Sequence, residues 1–191
     1  MENWVRVFSA LACSSALAVL PRVALANEPA TAGTLQVGAG FRYGFLLDPY
    51  QDENPWGVGL GAEVGHTFSN ALYVGGNVEY FFGGSYERFF GSVETSVGQL
   101  LAELGYDVAI APVFLIRPKL GVGPALFSLE QCEIEVGCSD DVSGIKVAAA
   151  PGVKALLLTE SFLLSLDVRY DILFVSESTL NGLVFSAGIG F

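Results

Sequence analysis

The chain has 191 residues, 52% of them hydrophobic and 15% charged, with a mean hydropathy of +0.52. It is long enough for one domain with a substantial core, and its hydropathy is high for a soluble protein. Nine Lys and Arg against twenty Asp and Glu disfavour nucleic acid as a partner and leave cations or basic groups as complementary surfaces.

Residues 7–20 carry no charge, a run of fourteen that falls short of the roughly 18 residues a membrane helix needs. Arg6 precedes the run, and Ala24-Leu25-Ala26 follows it. This is the layout of a secretory signal peptide, residues 1–26, with cleavage expected after Ala26. A lipidation site at Cys13 is the weaker reading, because the apolar stretch before it is very short. Removal of residues 1–26 leaves seven basic and nineteen acidic residues, a formal charge of −12.

Residues 27–33 read as a short leader. Residues 34–47 then alternate, Leu35, Val37, Ala39, Phe41, Tyr43 and Phe45 against Gln36, Gly38, Gly40, Arg42 and Gly44. A period of two marks a strand with two different faces. Residues 48–56 form a loop, 57–68 a second strand, Ser69-Asn70 a tight turn and 71–82 a third strand. A longer loop is expected at 83–97, a strand at 98–110, a turn at 111–114 and a strand at 115–128. Pro118 and Pro124 lie on the apolar face of that fifth strand; each removes a ladder donor, which is tolerable at bulges. An acidic loop at 129–143, strands at 144–158 and 162–175, and a loop at 176–181 lead to the last strand, 182–191. In that last strand Leu183, Phe185, Ala187, Ile189 and Phe191 oppose small residues.

Eight strands whose connections alternate long and short predict an all-β fold, an eight-stranded antiparallel up-and-down transmembrane barrel. The expected barrel domain is 34–191, with short periplasmic turns and longer extracellular loops. Fifteen of the 23 glycines fall on the polar face. A narrow eight-stranded lumen has little room for side chains, so that face points inward and the Phe, Leu and Tyr face meets lipid. The lumen is then expected to hold Arg42, Arg117, Lys119, Lys146, Lys154 and Arg169, with Glu63, Glu79, Glu103, Asp107, Asp167 and Asp171. Counting from hairpin centres puts Arg42 opposite Glu63, Asp107 opposite Arg117, and Lys154 close to Asp167. Confined charges must pair to offset desolvation, which predicts a salt-bridged interior with no open channel.

Cys132 and Cys138 are the two cysteines left after cleavage, and an even pair in an exported chain predicts a local disulfide. In the chain-entropy model so small a loop contributes roughly 2 kcal/mol at most. Two thiols without a nearby His lack a full metal-ligand set, and no metal or cofactor is expected. Glu130, Glu133, Glu135, Asp140 and Asp141 surround the cysteines without the order of a calcium loop. Tyr86, Phe89 and Phe90 are candidates for contact with headgroups or with a partner.

On this strand pattern, and on the terminal Phe191, residues 34–191 resemble the small outer-membrane barrels of the OmpA, OmpX and OmpW type. The resemblance implies that Phe191 is the recognition signal for the barrel-assembly machinery. It also implies a structural, adhesive or small-molecule conduit role, and it does not choose among them. The segment His66-Thr67-Phe68-Ser69-Asn70-Ala71 resembles the His-x-Ser-Asn-Ala motif of outer-membrane lipid A deacylases, with one residue too many between His66 and Ser69. The expected role is a non-enzymatic, monomeric barrel of one domain, whose surface loops meet an extracellular partner; its other expected partners are outer-membrane lipid and lipopolysaccharide. A narrow conduit is the alternative, and a lipid-modifying enzyme comes third.

Overall fold

The computed structural model describes residues 30–47, 54–83, 85–88, 91–133, 137–175 and 178–191. The expected signal peptide therefore lies outside the described residues, as do residues 27–29 of the leader, Glu135, Phe89 and Phe90.

Ten strand segments follow one another: β1 (Leu35–Leu46), β2 (Gly57–Thr67), β3 (Leu72–Phe81), β4 (Ser85–Arg88), β5 (Gly91–Tyr106), β6 (Val108–Ala111), β7 (Phe114–Glu133), β8 (Gly137–Leu158), β9 (Leu163–Val175) and β10 (Ser178–Gly190). The sheet order is β4-β5-β3-β2-β1-β10-β9-β8-β7-β6, and an additional β5–β7 pairing closes the ring. Every strand pairing around the ring is antiparallel. The ring has eight staves, because β6 continues β5 beyond Asp107 and β4 only flanks the far end of β5. Closure removes the free edges that an open sheet would present. The terminal strand pairs with β1 from Gly38↔Gly190 to Leu46↔Gly182, and Phe191 adds two bonds with Val37, 2.9 and 3.0 Å.

Three expected loops contain strand. β5 begins at Gly91, the β7–β8 ladder runs out to Glu133↔Gly137, and β10 begins at Ser178. At 20 and 22 residues, β7 and β8 are about twice the 9–11 residues a membrane crossing requires. The apolar phase fades at the outer ends of these strands because they pair with one another beyond the apolar band.

The prolines do not sit at bulges, contrary to expectation. The β5–β7 register is unchanged from Gln99↔Ala125 to Ala102↔Val122, and the two missing rungs fall at Pro124 and its neighbour Gly123. The β8–β9 ladder likewise skips from Ala149↔Ile172 to Gly152↔Arg169 around Pro151. The break between β5 and β6 falls beside Pro118. A missing N–H removes a rung without shifting the strand. The one shift within β7–β8 lies between Leu129 and Glu130.

Large apolar side chains such as Phe41, Leu100, Leu126 and Ile145 are exposed on the outside of the ring, and the fully buried side chains lie within it. Edge-to-face aromatic pairs occur toward the loop end, Tyr43–Phe45 at 4.7 Å and Tyr80–Phe82 at 5.2 Å between centroids. His66–Phe68 at 4.9 Å occupies the turn end. Such girdles frame the apolar band of membrane barrels.

Candidate lumenal site

The interior is built in tiers. At the turn end, Leu115, Leu156 and Leu163 form a small apolar floor. Above it, Asp107 receives Arg117 Nε at 2.5 Å and Arg117 Nη2 at 2.9 Å. The hydroxyls of Thr67 and Thr31 donate to the same carboxylate at 3.0 and 2.6 Å. The Arg117 guanidinium lies 3.6 Å from the centroid of the Tyr73 ring, so its face and its edge are both occupied. Arg117 Nη2 also donates to Gln36 Oε1 at 3.0 Å. Thr31, from the leader, is buried here and ties the chain before β1 to the lumen.

The middle tier joins strands on opposite walls. Lys119 Nζ bridges Glu103 at 2.8 Å and Asp167 at 2.6 Å, and Lys154 pairs with Glu63. Higher still, Arg169 holds Glu79 through both oxygens, and its Nε donates to Asp171 at 2.7 Å. Arg42 Nε reaches the same Glu79 at 3.2 Å. All these groups except Glu63 are buried.

The partners differ from those expected by counting. Arg42 lies across from Gly59 and Glu63 from Gly38, so Arg42 bonds Glu79 and not Glu63. The connection between β1 and β2 hid the register. Lys154 and Asp167 are Cα partners, yet Lys154 crosses the lumen to Glu63 while Asp167 takes Lys119. Within a closed ring the facing wall competes with the adjacent strand. Arg117 and Asp107 do meet. Lys146 is half-buried toward the loop end, and no ion pair involves it among the described residues.

The loop end of the lumen is apolar, which the polar-face reading missed. Trp56, Phe81, Val97, Leu101, Leu173 and Val184 are fully buried in one cluster. Gly57 adopts φ +56 and breaks the alternation, so Trp56 folds into the ring while Val58 points out. A Cβ on Gly44 would come within 2.5 Å of Trp56 Cβ, and one on Gly182 within 2.8 Å of its ring. Those two glycines make the slot that holds the indole. Gly61 does the same for Arg42, with a Cβ distance of 2.9 Å to Nη2.

A void of about 10 Å³ lies among Arg42, Glu63, Lys154 and Asp167, room for about one water. In the His66 segment, His66 meets Phe68 edge to face, while Asn70 Oδ1 accepts from Leu72 N at 3.2 Å in the turn. Cys132 and Cys138 are Cα partners across β7 and β8.

No protein-family profile and no curated protein sequence matches the chain. Solved structures do match it. Ail, the attachment invasion locus protein of Yersinia pestis, aligns at TM-score 0.59 with 16% identity, over 84% of this chain and 99% of that one. A major outer membrane protein of Thermus thermophilus aligns at TM-score 0.57 with 12% identity, over 83% and 99%. Neisserial surface protein A aligns at TM-score 0.52 with 16% identity, over 82% and 95%. With its closed antiparallel ring, outward apolar band and buried ionic interior, the chain has the fold of the small eight-stranded bacterial outer-membrane β-barrels.

Proposed function

We propose that this integral outer-membrane barrel is a non-enzymatic scaffold that presents an acidic sheet to a basic partner outside the cell. The observation that carries the reading is the extension of β4, β5, β7 and β8 beyond the ring. Their ladders run through Arg88↔Gly91, Gly91↔Glu133 and Glu133↔Gly137, whereas the β8–β9 ladder begins only at Val147↔Phe174. The outer part of β8 is thus an edge without a registered neighbour on its β9 side among the described residues. Successive Cα partners Glu94, Glu130 and Asp140 align three acids across three strands. Like charges placed opposite one another cost stability and favour occupation by a cationic segment.

The occluded interior supports a scaffold over the conduit reading. The proposed removal of residues 1–26, assembly through Phe191 and a monomeric state in outer-membrane lipid and lipopolysaccharide belong to the same account. So does a Cys132–Cys138 disulfide that fastens the β7–β8 hairpin, which their cross-strand register supports. Ail has been solved with the heparin analogue sucrose octasulfate; a polyanion would be repelled by the acidic sheet here, so the proposed partner has the opposite charge.

The test is binding of an oligo-lysine peptide to the reconstituted barrel, compared with the variant Asp140→Lys/Asp141→Lys. Saturable binding that weakens at least tenfold in the variant and falls with added salt supports the proposal. Equal binding by both proteins contradicts it.

A further inference from the structure

The outward face of the barrel is not uniformly filled. Most of its positions carry Leu, Val, Phe or Tyr, but β5 presents Gly98 there. In register it lies between Tyr80 on β3 and Leu126 on β7, and Leu126 in turn partners Ile145 on β8. The missing side chain opens a recess of about 710 Å³ lined by Leu60, Tyr80, Gly98, Pro124, Leu126 and Ile145, among others. That volume is within the range of small-molecule pockets, roughly 300–1,000 Å³. Its walls are apolar, so inside a bilayer it is occupied by hydrocarbon.

Position identifies the occupant further. Gly98 and Leu126 are the last outward residues of the apolar band on β5 and β7 before Ser96 and Ser128, which are cross-strand partners at the next outward step. The recess therefore opens toward the loop end of the band, with two hydroxyl-bearing residues at its lip. An apolar slot beneath a polar lip fits an amphiphile whose chain enters the slot and whose headgroup stays at the lip. Short turns face the periplasm and long connections the exterior in this fold, so the slot opens in the outer leaflet, the leaflet made of lipopolysaccharide. We propose that the Gly98 recess is a specific seat for one acyl chain of lipopolysaccharide. The site rests on the membrane-spanning part of the functional reading and not on the acidic sheet, so either can fail without the other.

Gly98 allows a clean perturbation. A Cβ there would meet nothing closer than 3.7 Å, the Tyr80 Cδ2 atom, so Gly98→Leu enters the recess with no clash at its first carbon. Gly76 is the control: it also lies on an outward position, outside the recess, where a Cβ meets only Leu101 O at 3.8 Å. Ala62→Leu fills the recess from the β2 side.

The experiment is native mass spectrometry of the full barrel released from bilayers containing hexa-acylated lipid A and dipalmitoyl phosphatidylethanolamine. Heat-modified gel mobility confirms that each variant is folded. The expected result is one retained lipid A per wild-type barrel, unchanged in Gly76→Leu and at least tenfold lower in Gly98→Leu and Ala62→Leu. Retention of lipid A by both filled variants overturns the proposal, as does equal loss in Gly76→Leu or equal retention of the phospholipid. Unaltered oligo-lysine binding by Gly98→Leu separates this site from the acidic sheet.

Discussion

Replacing Arg169 by Met keeps much of the length of the side chain and removes its charge. Arg169 is fully buried and holds two carboxylates at once, Glu79 and Asp171. Glu79 retains Arg42 at 3.2 Å after the change, whereas Asp171 loses the guanidinium that meets both of its oxygens. The cost is therefore that of one buried, uncompensated carboxylate, about 3–5 kcal/mol, or roughly two to three and a half decades in the unfolding equilibrium. Converting Asp171 to Leu in the same protein removes the orphaned charge and is expected to return more than half of the loss, a coupling measurable as a double-mutant cycle. Urea unfolding in detergent micelles supplies the readout. Trp56 is the single tryptophan beyond residue 26 and is fully buried, so its emission follows the barrel. A loss below about 1 kcal/mol for Arg169→Met, or no recovery with Asp171→Leu, would refute the idea that the ion pairs of this tier are mutually compensating.

Gly44→Val forces a Cβ to within 2.5 Å of Trp56 Cβ and is expected to cost about 1–3 kcal/mol, with a red-shifted tryptophan emission as the indole leaves its slot. Trp56→Ala should cost about 3–5 kcal/mol yet leave the barrel non-conducting, because the ionic tiers below remain; chemical denaturation and bilayer currents check the two halves separately. Ala71 adopts φ +67 at the first turn, a conformation that disfavours an L side chain by about 1–2 kcal/mol. Ala71→Gly is therefore expected to raise the unfolding midpoint despite the loss of a buried methyl. Phe191 keeps its backbone pairing with Val37 but exposes its ring; Phe191→Ala should lower the yield of assembled barrel in cells while leaving the refolded protein within about 0.5 kcal/mol of wild type, the range of surface changes.

Much of the architecture is legible in the alternation of side chains, because a half-buried strand must sort its residues by face. Glycines opposite Phe, Leu and Tyr distinguish an inward polar face from an outward apolar one, and the charges named from that face line the lumen. The Asp107–Arg117 pair, across a tight turn, was legible; the other two expected pairings were not. Arg42 and Glu63 are separated by a connection whose length leaves the register open, and Lys154 prefers a residue on the opposite wall to its own cross-strand neighbour. Such pairings are set by closure, a property of the whole ring. Trp56 was missed for a local reason: the left-handed turn at Gly57 reverses the parity on which the face assignment depends. The extended ends of β5, β7 and β8 were missed because strands that leave the membrane keep their hydrogen bonds but lose the apolar phase that marks them.

Closure of the lumen is the central claim about the interior, and single-channel recording on the purified barrel in planar bilayers tests it most directly. Ion pairs that span the lumen beneath an apolar cap predict a flat baseline across the applied voltages. Reproducible, stable unitary currents from the folded protein would contradict the account.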